Sequence, residues 1–192
     1  MAKESTLKNM LLTLSIVTLA ASTFLGMVYA VTKGPIEEAM IQKTNSAIMQ
    51  VVPEFTNDPS SDKLLVDLSG KSYWVYPAKN GDNLVGLAVE SSSSGFGGRI
   101  SLMVGFSSDG TIYDISVLSH TETPGLGDKI ESSKSNFSVQ FKGTNPDEFK
   151  ILVKKDGGDV DAITASTITS RAYCDAVRIA YEVFKQYLND NK

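Results

Sequence analysis

The chain has 192 residues, 42% of them apolar and 21% charged, a balance that excludes both a disordered chain and a polytopic membrane protein. Its 18 basic and 22 acidic residues leave a net charge of −4, which argues against a nucleic-acid partner. A single cysteine, Cys174, excludes an internal disulfide, and with one histidine, His120, there is no Cys/His cluster for zinc or iron–sulfur.

Twenty-four uncharged residues, Asn9 to Thr32, separate Lys8 from Lys33. As a helix rising about 1.5 Å per residue they reach roughly 36 Å, enough to cross a hydrocarbon core of about 30 Å. Tyr29 sits near the far end, where an amphipathic ring prefers the interface. A cleaved signal peptide is the rival reading, because Val28-Tyr29-Ala30 resembles a small-residue cleavage site. The apolar run exceeds a signal core of about 7–15 residues, and the preceding Lys3 and Lys8 are partly offset by Glu4. The expectation is a retained anchor, with residues 1–8 in the cytoplasm, 9–32 across the membrane and 33–192 outside. A large C-terminal domain translocates largely regardless of its charge.

Lys33-Gly34-Pro35 opens a second helical pattern, with Pro35 suited to a first turn. Ile36, Met40, Ala47, Ile48 and Val51 recur at helical spacing until Pro53 stops it. Strand signals follow at Leu64–Leu68, Ser72–Tyr76 and Asn83–Val89. Arg99–Phe106 and Thr111–Leu118 alternate around Asp109-Gly110, a strong hairpin signal. A short strand is expected over Lys150–Val153. From Ser170 to Leu188 helical spacing returns, with Tyr173, Val177, Ala180, Tyr181, Phe184 and Leu188 on one side. The soluble part is therefore α+β, an antiparallel sheet with helices at its two sequence ends.

Three segments could carry chemistry. Ser119-His-Thr-Glu-Thr-Pro-Gly-Leu-Gly127 follows a predicted strand and mixes hydroxyls, an imidazole and a carboxylate with glycines that let a ligand approach the backbone. A plain Pro-Gly turn is the competing reading. No Gly-x-Ser-x-Gly elbow supports a serine triad around His120 and Glu122. Ser94-Gly-Phe-Gly-Gly98 precedes a strand, unlike the glycines of phosphate-binding loops, so it reads as a bend where a ligand ring or another backbone comes close. The third segment, Asp159 to Ser170, precedes the last helix and carries hydroxyls at Thr164, Ser166, Thr167, Thr169 and Ser170. One of these is expected to cap the helix, whose free N–H groups and positive dipole end would equally favour a phosphate.

These features together resemble a known family. One N-terminal span, Gly-Phe-Gly-Gly, His-x-Glu-Thr-Pro-Gly-Leu-Gly and Asp-x-x-Thr-x-x-Thr-x-Thr-Ser before a helix are similar to the FMN-binding subunits of Rnf and Nqr electron-transport complexes, the RnfG/NqrC family. The likeness is nearer to the RnfG branch, from the ion-translocating ferredoxin:NAD oxidoreductase, since NqrC carries a longer extracytoplasmic domain.

The resemblance implies an electron-transfer flavoprotein in the bacterial inner membrane, with its C-terminal domain on the periplasmic side and no catalytic activity of its own. Other components of the Rnf complex would be its partners. FMN would be joined through its phosphate to Thr167 by an FAD-dependent flavin transferase. Ser166, Thr164 and Thr169 would lie beside the phosphate, and Asp161 matches the acidic position ahead of the motif. In the loop, His120, Glu122, Thr123, Gly125, Leu126 and Gly127 would pack against the isoalloxazine, Thr123 near its polar edge and Leu126 against its face. The family's acceptor motif reads Ser/Thr-Gly-Ala-Thr, whereas here it is Thr164-Ala165-Ser166-Thr167, which adds bulk beside the attachment point. Ion translocation would belong to other components, because this span contains no charged residue. The alternatives are an NqrC-type subunit of the Na+-translocating NADH:quinone reductase, or a membrane-anchored binding domain without cofactor.

Overall fold

The computed structural model describes residues 6–191. Lys3 and Glu4, which enter the reading of the N-terminal charges, lie outside the described residues. The chain divides into two compact units, one ending at Gln42 and the other beginning at Lys43.

Helix α1, Leu7–Val51, is 45 residues long. The expected break at Lys33–Pro35 does not occur, and Pro35 lies inside the helix. Proline removes one backbone bond, to the Val31 carbonyl, and leaves those on either side, so propagation carries the helix across. Its apolar window is wholly exposed and long enough to span a bilayer. Thr13, Thr18, Thr23 and Thr32 each donate their hydroxyl to the carbonyl four residues earlier, which satisfies these polar groups within the helix. Of the expected apolar stripe, Ala47, Ile48 and Val51 are buried, whereas Ile36 and Met40 are exposed.

The second unit is built on a five-stranded antiparallel meander: β1 Leu64–Leu68, β2 Lys71–Asn80, β3 Asn83–Ser94, β4 Arg99–Ser107 and β5 Ile112–Ser119. Strands β2 and β3 outrun their expected ends. The Ser91–Ser94 run is strand, paired to Arg99–Leu102. Pro77 is tolerated within β2 because β1 ends opposite Val75. There Asn57 stands in for a neighbouring strand, donating to the Pro77 carbonyl at 2.9 Å and accepting from the Lys79 N–H at 2.8 Å. The Asp109-Gly110 hairpin forms as expected, with the Ser107 N–H donating to the Thr111 carbonyl at 2.9 Å.

Helix α2, Thr167–Asp190, buries Tyr173, Val177, Ala180, Tyr181 and Phe184 against Val75, Leu87, Val104 and Phe106 on one sheet face. Tyr76, Ala78, Ala88 and Met103 on the other face pack against the end of α1. Gly105 makes that contact possible, because any Cβ there would run into the Val51 carbonyl. Cys174 is buried and its thiol pushed up to about 12 by desolvation, which leaves it unreactive.

Between β5 and α2 the chain makes three short 3-10 turns, at Gly127–Ile130, Ser138–Phe141 and Lys154–Asp156. The strand expected over Lys150–Val153 is instead a single parallel bridge between Val153 and Val160. The Lys150 N–H is taken by an Asp159 carboxylate oxygen at 2.7 Å, so no ladder extends from it.

Candidate functional site

Helix α2 begins without a side-chain cap. Ser166 occupies the N-cap position, with φ −136° and ψ 44°, and makes no capping bond. The expected hydroxyl cap does not form, and two of the hydroxyls just inside the helix are spent on other partners. Ser170 Oγ accepts from the Ile163 N–H at 2.9 Å and donates to the Ser166 carbonyl. Thr169 Oγ1 donates to Glu122 at 2.6 Å. The first-turn N–H groups therefore point outward unpaired by side chains, with the positive end of the helix dipole behind them.

That helix start opens on a cleft of about 400 Å3, within the range of small-ligand sites. Two segments close it from the other side: the tight β3–β4 connection at Gly95–Gly98, and the loop after β5. Glu122 ties all three together. Only 5% exposed, it accepts the Gly97 N–H on Oε1 at 2.9 Å and the Thr169 hydroxyl on Oε2 at 2.6 Å. Gly127 must be glycine for this clasp, since a Cβ there would lie 2.6 Å from Glu122 Oε2 and 2.8 Å from Glu122 Cβ. Thr121 adds a hydroxyl bond to the Gly97 carbonyl at 2.9 Å.

Of the residues expected at a ligand, Glu122, Thr123, Leu126, Gly127, Ser166, Thr167 and Thr169 line this one cleft. Thr167 is half-buried, at the first position of α2, while Ser166 is 7% exposed, so Thr167 is the more reachable hydroxyl. Thr164 is exposed and, like His120 and Gly125, lies outside the lining. His120 turns away. Its Nδ1 accepts from the Glu122 N–H at 3.1 Å, which leaves the proton on Nε2, 2.6 Å from Glu131 Oε1. Lys134 bridges Glu131 and Asp128 at 3.4 and 3.1 Å, completing a cluster beneath the loop. The His120 hydrogen bond holds the Glu131 carboxyl below its usual range, and the Gly125 amide does the same for Asp128. Asp161 is exposed and paired with Lys154 at 2.8 Å.

Three lining residues go beyond those the sequence suggests. Phe96, 70% exposed, and Ile168, 51% exposed, join Leu126, 41% exposed, in an apolar rim around a hydroxyl-bearing floor. Ile168 interrupts a run of hydroxyls, which is a readable signal; Phe96 has only its flanking glycines. The third, Ala165, sits at φ +62°, in the left-handed region that favours glycine. The glycine of the family motif suits this backbone, and alanine bears a strain of about 1–2 kcal/mol there.

A model of the FMN-binding domain matches residues 95–182, a span that begins at the Gly95 turn and takes in the whole cleft. Across 96% of its length the chain is 35% identical to the G-type subunit of the ion-translocating oxidoreductase complex of Cereibacter sphaeroides, covering 87% of that protein. It is 32% identical to the corresponding protein of Shewanella piezotolerans, covering 96% of this chain and 92% of that one. Among solved structures it resembles NqrC of Shewanella oneidensis, with a TM-score of 0.50 and 18% identity over 75% of this chain and 72% of that one, a likeness of fold.

Proposed function

The chain belongs to the family of G-type subunits of ion-translocating oxidoreductase complexes, and from that premise we propose that it is the flavin-bearing subunit of an Rnf-type complex. Such a complex couples electron flow between ferredoxin and NAD to ion translocation. The observation that carries the reading is the uncapped start of α2, where half-buried Thr167 opens on a cleft with an apolar rim.

The residues fit FMN by their chemistry. Unpaired N–H groups at a helix start suit a phosphate, and Thr167 offers the hydroxyl for its ester. Leu126, Ile168 and Phe96 offer apolar surface for a flat ring, and Thr123 a polar contact at its edge. FMN supplies one- and two-electron redox chemistry when bound, and the protein's part is to hold it and set its environment. Glu122 holds the three walls in register. Its buried charge is met by two donors and by the α2 dipole, so it needs no counter-ion from the ligand. An FAD-dependent flavin transferase would make the ester, and other components of the complex would exchange electrons with it.

The helix of residues 9–32 anchors the protein, and the domain from residue 33 onward lies on the periplasmic side. A C-terminal alkaline phosphatase fusion should be active and a cytoplasmic reporter silent; the reverse pattern would invert the topology. For the flavin, full-length protein co-expressed with a flavin transferase should gain the mass of one FMN less one water after denaturation, on the peptide holding Thr167. An unmodified chain would defeat the covalent reading.

A further inference from the structure

We propose that the sheet holds a second binding site, a fork between β2 and β3 that receives an extended peptide segment from another protein of the complex. The two strands pair from Asn80 and Asn83 only as far as Val75 and Val89, then separate. Neither strand frays there. Lys71–Trp74 stay in register with Leu65–Leu68 of β1, and Glu90–Ser94 stay in register with Arg99–Met103 of β4. Two intact ladders therefore flank an empty lane. Successive residues of an antiparallel strand turn their N–H and C=O groups to alternate sides, so each strand presents unpaired backbone to the lane. Insertion of a strand between two parted strands is an established mode of peptide recognition.

The lane is a cavity of about 510 Å3 with Ile179 of α2 at its lining. Ser91, 2% exposed, also lines it and its Oγ finds no partner among the described residues. A buried hydroxyl left unpaired is destabilising, and an incoming backbone group would satisfy it. At about 3.3 Å per residue, the open stretch of β2 admits roughly four residues of extended chain.

Side chains at the lane select the occupant. Lys71 and Arg99 bring positive charge, and Lys63 stands 4.7 Å from the Trp74 ring beside it. The one acid of the lane, Glu90, is engaged by the Tyr76 hydroxyl. Trp74, 38% exposed, offers an aromatic surface. The fitting segment is thus extended and acidic, with an apolar side chain for Trp74. The flavin cleft shares no lining residue with the lane, so the two readings stand or fall separately.

Hydrogen exchange on the full-length chain, alone and in the purified complex in the same detergent, tests this. Amides of residues 71–74 and 90–94 should exchange about tenfold more slowly in the complex, while residues 83–88 change little. A photoreactive benzoyl-phenylalanine at position 74 should crosslink to a peptide of another protein of the complex. The K71E/R99E double variant should lose the protection while the isolated chain keeps its melting temperature. Equal exchange in both states, protection already present in the isolated chain, or crosslinks to lipid alone would each overturn the proposal.

Discussion

Glu122 and Thr169, 47 positions apart in the chain, share a buried 2.6 Å hydrogen bond that joins the loop after β5 to the first turn of α2. Because Glu122 also takes the Gly97 N–H, one carboxylate fixes the position of every wall of the cleft.

Glu122→Gln keeps the shape but meets one of the two donors with an NH2 group. The variant should lose on the order of 2 kcal/mol, the worth of a charge-assisted bond plus a buried group left unpaired. Denaturant melts would measure it, and Thr169→Val in the same background should add little further. Fully additive losses would mean that the two residues act independently.

Thr167→Ala should abolish flavin fluorescence that survives denaturing electrophoresis, while Thr167→Ser should retain part of it. Should fluorescence persist in the alanine variant and map to Ser166 or Thr164, the acceptor has been misassigned.

Ala165→Gly should stabilise the domain, contrary to the usual effect of adding a glycine. Relief of the left-handed strain outweighs the extra chain entropy by roughly 0.5–1 kcal/mol. A thermal melt should shift upward by about 2–4 °C, and a drop would show that the backbone at 165 is not held at positive φ.

Leu126→Ala should change the flavin absorbance or midpoint potential and leave the covalent load intact. Unchanged spectra and potential would move the isoalloxazine away from the rim formed by Leu126, Phe96 and Ile168.

Acid should loosen the loop over 120–134. Glu131 and Asp128 both have folded-state values depressed below their ordinary 4.5 and 3.8. Their contribution is complete above those ordinary values and is lost as pH falls through the depressed ones. Exchange protection of the loop should decline as pH falls below about 4. Glu131→Gln should flatten that decline, and a loop equally protected at pH 3 would contradict the ion-pair cluster.

What the sequence alone determined was everything written in local periodicity and local backbone chemistry. The uncharged run from Asn9 to Thr32, the Asp109-Gly110 hairpin and the apolar side of α2 each follow from neighbours within one element. The motif resemblance puts Thr167 and Leu126 at one ligand, and both line the same cleft. Tertiary structure decided what depends on distant partners. His120 reads as a ligand-facing imidazole, but Glu131, eleven residues on, draws its Nε2 away from the cleft. Phe96 reaches the rim only because Glu122 and Thr121 hold the glycine beside it. At the start of α2 Ser166 holds the N-cap position without a capping bond, while distant partners take the hydroxyl of Thr169 and the Ile163 N–H engages Ser170.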